Sequence, residues 1–425
     1  MDIEKSVEQE FPAMLKFLRS ILMIDSQERH DTTTFPFGEG VVNALRVTLS
    51  YCETLGFRTK NIDDIVGWAE YGTGDEVVGI PIHLDVVPEG EGWHYAPFGA
   101  EIKDEVLYGR GVCDNKGPAA IMIHVLYSLS KVHPNWNKRI RLIFGTNEET
   151  GMACMKHYFN KGEDIPDYGF TPDAMYPIIN GEKGRLHLVL SHTMSCSDVY
   201  VNGGTKENVV PSSCQIISEK NEYRSICNGK SAHASTPEKG ENAIQLCLQG
   251  FRSTGFSNCD ILYQLADKLG YDCYGEQVGI SSEDACFGKT TINLGVLKTE
   301  GNKLIAELDI RYGTCISKEM IIQKFETSFP TCHIEIKNEK KVHYVAEDEE
   351  IVKILKHAYE ESTGISAYTS AMGGGTYASC FPHMVAFGPK FKNIKTGGHG
   401  IDEHMSFVDL KLNMKIYTNA VLHIF

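Results

Sequence analysis

Apolar positions recur along this chain with two different periods. Near the start, Leu15, Leu18, Ile21 and Leu22 of MDIEKSVEQEFPAMLKFLRSILMID fall on one face at helical spacing. Further on, GWAEYGTGDEVVGIPIHLDVV reads as a hairpin that turns at Thr73 to Asp75 into an apolar, β-branched strand. KGPAAIMIHVLYSLSKV then predicts a helix with Pro118 in its first turn, and RIRLIFGTNEETG predicts another buried strand. Strand, helix, strand at these lengths implies an α/β fold, a mixed sheet covered by helices on both faces.

The texture changes near Gly184. GRLHLVLSHTM and TTINLGVLKTEGNKLIAELDIRYGT alternate apolar and polar residues as a half-exposed antiparallel sheet does, while ENAIQLCLQGFRST and SKEMIIQKFETSF have helical spacing. Near Val342 the first texture returns, with helix DEEIVKILKHAYEESTG, strand HMVAFGP and a closing helix from about Ser406. The pattern predicts a discontinuous catalytic domain, 1–184 and 342–425, with an inserted α+β lid domain over 185–341.

Composition narrows the function. With 425 residues and 42% hydrophobic, the chain can bury two cores; its net charge of -15 leaves no basic surplus for a nucleic-acid partner. No apolar run is long enough for a membrane span, and the acidic N-terminus lacks the features of an export signal. The 13 cysteines are odd in number and form no C-x-x-C pair, as expected of reduced thiols in a cytoplasmic protein. Cys113 is expected to pack rather than to act as a nucleophile.

Candidate chemistry gathers at strand ends. His83 and Asp85, two apart at the end of a buried strand, share a face. Asp85 can therefore bond one imidazole nitrogen and leave the other for a metal, although, taken alone, the pair reads better as a strand-end histidine satisfied by its neighbouring carboxylate. Asp114 precedes a helix and could simply cap it. Glu148 and Glu149 are adjacent carboxylates that belong either in a solvated loop or beside something positive. Asp173 and His399 sit in turns where ordinary loop residues also occur. Together, His83, Asp114, Glu149, Asp173 and His399 suit two borderline divalent ions, zinc first, with Glu148 left over as a base.

The run HLD, GVCDNKGP, NEETG, PDAMYPIINGEKG, KSAHASTP, DIRY, GGGTYA and HGIDE resembles the dizinc aminoacylase and desuccinylase metallopeptidases. The likeness is strongest to their bacterial dipeptidase V branch (Xaa-His, β-Ala-Xaa), and it extends in order over nearly the whole chain. It implies Asp114 bridging two ions, His83 and Asp173 on one, Glu149 and His399 on the other. It also implies Asp85 orienting His83, Glu148 as catalytic base and His233 polarising the scissile carbonyl. In substrate binding it implies Asn208, Arg311 on the substrate carboxylate, and the loop Gly373, Gly374, Gly375 and Thr376. Two departures stand out. Gly398 precedes His399 where the family usually has a bulkier residue, and Ser379 occupies a position often basic in dipeptidase relatives.

The expected activity is amide hydrolysis of small peptides, dipeptides with a free C-terminal carboxylate, by a water shared between two metals. Zinc is the first choice of metal, with manganese and cobalt as alternatives. Domain motion should gate turnover, and the size of the lid favours a monomer over a homodimer. An N-acyl-amino-acid deacylase or desuccinylase, and a non-catalytic metal- or peptide-binding relative, are the competing readings.

Overall fold

The structure, a computed structural model, describes residues 3–29, 35–195 and 198–424. The chain divides into two units, one comprising Met1–Asn180, Val345–Ser370 and Gly375–Phe425, the other Gly181–Tyr344 with Ala371–Gly374. The chain passes between the units at 180/181 and 344/345. The assignment of 371–374 to the second unit has no counterpart in the pattern.

In the first unit the chain forms α1 (Ile3–Leu22), α2 (Glu39–Thr54), β1 (Arg58–Ile62), β2 (Val66–Gly72) and β3 (Val77–His83). It continues through α3 (Lys116–Val132), β4 (Arg139–Gly145), α4 (Ala153–Asn160), β5 (Tyr168–Thr171) and β6 (Ile178–Glu182). The expected hairpin between β2 and β3 does not form. Strand β4 lies between them, antiparallel to β2 and parallel to β3. The reason is burial on both faces. Leu142 and Phe144 of β4 join Ile80 and Ile82 in one core cluster, while Ile143 faces the opposite side with Val66, Met155 and Tyr158. Such a strand belongs in the middle of a sheet. The turn that was to close the hairpin bonds instead to the chain entering β4, through Thr73 N to Trp136 O and Arg139 N to Glu76 O.

The second unit is one antiparallel sheet with helices on one face. Its strands are β7 (Gly184–Thr193), β8 (Val199–Gly203), β9 (Ser213–Ser218), β10 (Tyr223–Asn228), β11 (Thr291–Glu300), β12 (Lys303–Tyr312) and β13 (His333–Lys340). They are ordered β10-β9-β8-β11-β12-β7-β13. Helices α5 (Ala243–Arg252), α6 (Asp260–Leu269) and α7 (Lys318–Ser328) supply Ile244, Leu248, Leu262, Leu265, Ile321 and Phe325 to its core.

The chain then returns through α8 (Glu350–Thr363), β14 (Met384–Ala386) and α9 (Phe407–Ile424). Strand β14 joins the first sheet parallel to β5, giving the order β1-β2-β4-β3-β5-β14-β6. Helix α3 is buried almost all round, packed by α1 and α9. Among the described residues, no helix is long and apolar enough to cross a membrane.

Candidate active site

Parallel strands end on the same side of a sheet, and three of them carry the candidate ligands there. His83 closes β3 and stands in register with Gly145, which closes β4 just before Glu148 and Glu149. Asp173 follows the end of the parallel strand β5. Open α/β sheets bind ligands at this carboxyl edge. A side chain at Gly145 is excluded, because a Cβ there would lie 2.0 Å from the hydroxyl of Tyr377.

Asp114 is the centre of the cluster. Its Oδ1 lies 3.0 Å from His83 Nε2, which is itself 3.7 Å from Asp173 Oδ2. Its Oδ2 lies 3.3 Å from His399 Nε2, itself 3.2 Å from Glu149 Oε1. The two carboxylate oxygens therefore face two separate ligand groups. Asp114 does not cap α3, since Asn115 holds the N-cap position. Nor do Glu148 and Glu149 lie in a solvated loop; both side chains are largely buried.

Asp85 departs from the expected geometry. Strand β3 ends at His83, so the alternation that would have aligned the two side chains stops there. His83 Nδ1 donates to the backbone carbonyl of Asp85 at 2.9 Å, while the carboxylate is 3.6 Å away. This bond leaves the Nε2 lone pair directed at Asp114 and Asp173. The Asp85 carboxylate instead accepts the backbone N–H groups of Glu148, at 2.8 Å, and Glu149, at 3.0 Å. It positions the Glu148–Glu149 turn.

Two further residues, Glu403 and Lys390, shape the site, and sequence reasoning gave neither of them a role. Glu403, fully buried, accepts from Arg110 Nη1 at 2.8 Å and from the backbone N–H groups of Gly111, Cys113 and Asp114. It thereby clamps the loop that presents Asp114. Lys390 donates to Asp114 Oδ2 at 2.7 Å. The signal for Glu403 is an acidic residue in a glycine loop four positions after His399. Lys390 has no local signature, because the pairing of Pro389–Lys390 with Ala174–Met175 is what carries it to the site. His404, a possible competitor for metal, turns away to the Asp402 carbonyl at 2.7 Å. Cys113 is buried and its thiol is pushed up to about 12 by burial, so it packs rather than attacks.

The charge balance tests whether cations fit. Asp114, Glu148, Glu149 and Asp173 converge on two imidazoles and one ammonium. Burial, reinforced by the Asp173 charge, holds the Glu148 carboxyl well above its usual range. Burial and the Asp114 charge do the same to Asp173. Asp114 is held well below its usual range, because Lys390, His399 and His83 outweigh the effect of burial. His399 is raised to about 10 by its contacts with Asp114 and Glu149. The buried Asp85 Oδ1 has no hydrogen-bond partner, and Glu149 Oε1 has only its ion-pair contact with His399. A cluster with surplus buried negative charge, split across the two oxygens of one aspartate, fits a pair of divalent cations.

The candidates in the second unit are arranged otherwise. Arg311, buried, donates from Nε at 2.7 Å and Nη2 at 3.1 Å to Asp309 and from Nη1 to the Gly373 carbonyl, which leaves two of its five N–H groups. His233 is exposed, with Nδ1 accepting from the Ser235 backbone at 3.2 Å and facing its hydroxyl at 2.7 Å. Asn208 lies beside this turn, its carbonyl accepting from Ala234 N, and its Oδ1 is buried without a partner. Gly373 is packed so closely on Ser235 that a Cβ would sit 2.8 Å from its side chain. The carbonyls of Gly373 and Gly374 accept from Arg311 and Lys340. The glycine run is divided, with Gly375 and Thr376 in the first unit, where Thr376 caps the turn Tyr377–Cys380.

The family model for peptidase family M20/M25/M40 matches residues 79–423. The chain belongs to that family. Its members are dinuclear metallopeptidases, and this chain is a metallopeptidase of that type. It is 34% identical to the putative dipeptidase YtjP of Bacillus subtilis, covering 91% of each chain. It is 31% identical to the Beta-Ala-Xaa dipeptidase of Lactobacillus delbrueckii subsp. lactis, covering 99% of this chain and 98% of that one. Its fold resembles that of human carnosine dipeptidase 1 with a TM-score of 0.65 at 14% identity, covering 99% and 98%.

Proposed function

We propose that this metallopeptidase hydrolyses dipeptides that carry a free C-terminal carboxylate, and that it works in the cytoplasm. The observation that carries the reading is the division of Asp114, Oδ1 toward His83 and Asp173, Oδ2 toward His399 and Glu149. On this reading those five residues hold two ions, zinc first and manganese or cobalt as alternatives. When bound, such ions act as Lewis acids on the scissile carbonyl and lower the pKa of water to about 7.

The remaining steps belong to the chain's own residues. Glu148 accepts the proton of the attacking water and passes it to the departing amine nitrogen. Asp85 fixes the Glu148 backbone and so the aim of its carboxylate. His233 has Nδ1 occupied as an acceptor, which puts the proton of the neutral ring on Nε2. From there it donates to the carbonyl oxygen as charge builds. Arg311 offers its two remaining N–H groups to the substrate carboxylate, with Asp309 holding the guanidinium plane. Asn208 contributes a polar contact from beside the His233 turn. The names of the B. subtilis and L. delbrueckii relatives support the choice of dipeptides.

The test is a paired assay on protein stripped of metal and reconstituted. Dipeptides are expected to be cleaved and N-acyl amino acids spared. Cleavage of N-acyl amino acids alone would move the protein to the deacylases.

A further inference from the structure

Helices α8 and α9 bring together a second group of ligand-type side chains, remote from the cluster around Asp114. His357 and Glu361 are four residues apart on α8 and so share one face of it. His423 lies in the last turn of α9. His423 Nε2 is 2.7 Å from Glu361 Oε2, and His357 Nδ1 is 3.8 Å from the same oxygen. The two imidazole rings stand 4.4 Å apart, and one ligand atom from each of the three residues lies within 4.8 Å of the others.

This placement is held from below. Leu355, Ala358 and Tyr359 of α8 share a core with Tyr417, Ala420, Val421 and Ile424 of α9, and Asn419 Nδ2 donates to Ser362 Oγ at 3.0 Å. Among the described residues, the Glu361 carboxylate is met by the two histidines and by no lysine or arginine. Two imidazoles crowded on one carboxylate repel each other if both are protonated. A single cation removes that repulsion and uses all three donors. All three residues reach solvent, so an ion can enter and one or more positions stay open to water. The distance along α9 from Phe407 to His423 is about 24 Å, which separates this group from His399 and Glu403.

We propose that His357, Glu361 and His423 form a third metal site, specific for a borderline divalent cation such as zinc, which ties the end of α9 to α8. Two imidazoles and a carboxylate are a zinc donor set. An ion bound only in the folded state raises thermal stability as its concentration rises. The site is weaker than the paired one because it is exposed and has three donors.

The experiment uses untagged full-length protein, stripped with chelator and titrated with zinc. At saturation the wild type is expected to bind one ion more than the double variant His357→Ala/His423→Ala, three against two. Zinc beyond two equivalents should raise the Tm of the wild type and leave that of the variant unchanged, while activity at two equivalents is equal in both. His423→Gln serves as the milder substitution should the double variant fold poorly. Equal stoichiometry and equal Tm response in wild type and variant would overturn the site. The count of two tight ions rests on the function proposed above; the difference of one does not.

Discussion

The two units treat charge in opposite ways. In the second, ion pairs close among themselves: Arg311 on Asp309, and Arg185 on both Asp309 and Glu207. In the first, the carboxylates around Asp114 outnumber their cationic partners and the buried carboxylate oxygen Asp85 Oδ1 has no hydrogen-bond partner, whereas the unpaired acceptor beside His233, Asn208 Oδ1, is a neutral amide. A self-satisfied network needs no ligand to be stable; a frustrated one does. On the proposed mechanism, metal binding therefore falls to the first unit and substrate contacts to the second.

Substitutions can break that division. The largest effect is expected at Glu148. Glu148→Ala should lower kcat by about 10²–10⁴-fold, the usual worth of a general base, with both metals retained on elemental analysis. Normal turnover would remove Glu148 from the mechanism. Next comes Glu403, whose loss strands the buried guanidinium of Arg110. Glu403→Ala should cost about 3–5 kcal/mol in urea unfolding and weaken metal binding as well. A variant as stable as wild type would show that the Asp114 loop holds itself. His233→Ala, in the second unit, should lower kcat by roughly 10²–10³-fold with metal content unchanged. If metal is lost too, the division between units fails.

The smallest effect is a pH dependence in the first unit away from the site. His124 is buried between Tyr51 and Glu10, and burial lowers its pKa despite the Glu10 carboxylate. The folded state thus takes up the proton less readily than the unfolded chain, whose histidine titrates near 6.5. Stability should fall as pH drops through about 6.5 toward 5, and His124→Gln should fall less steeply over that range. Parallel curves for the two proteins would acquit His124.

Much of this was legible in the chain. The β-branched run ending at His83, the buried strand before Glu148 and the helix after Asp114 follow from local pattern, and so does the α+β texture of the second unit. What local pattern misses is non-local pairing. Strand β4 enters between β2 and β3 because both of its faces are apolar, and no feature of the Thr73–Asp75 turn reveals that. Lys390 reaches Asp114 through a short parallel ribbon that has no periodicity. Asp85 lies two residues past the end of its strand, so alternation wrongly aims its carboxylate at the imidazole when it binds the Glu148–Glu149 backbone. Arg311 and His233 look like surface polar residues in isolation and acquired roles only through resemblance, since neither carries a visible electrostatic deficit.

The account depends most on Asp114 serving two ions at once, and metal counting at two added equivalents per chain tests this directly. In the His357→Ala/His423→Ala background, which removes the further site, the otherwise unaltered protein should hold two zinc ions, the added His83→Ala or His399→Ala about one each, and the added Asp114→Ala neither. An Asp114→Ala protein that still holds two ions would contradict the shared aspartate and the dinuclear site built on it.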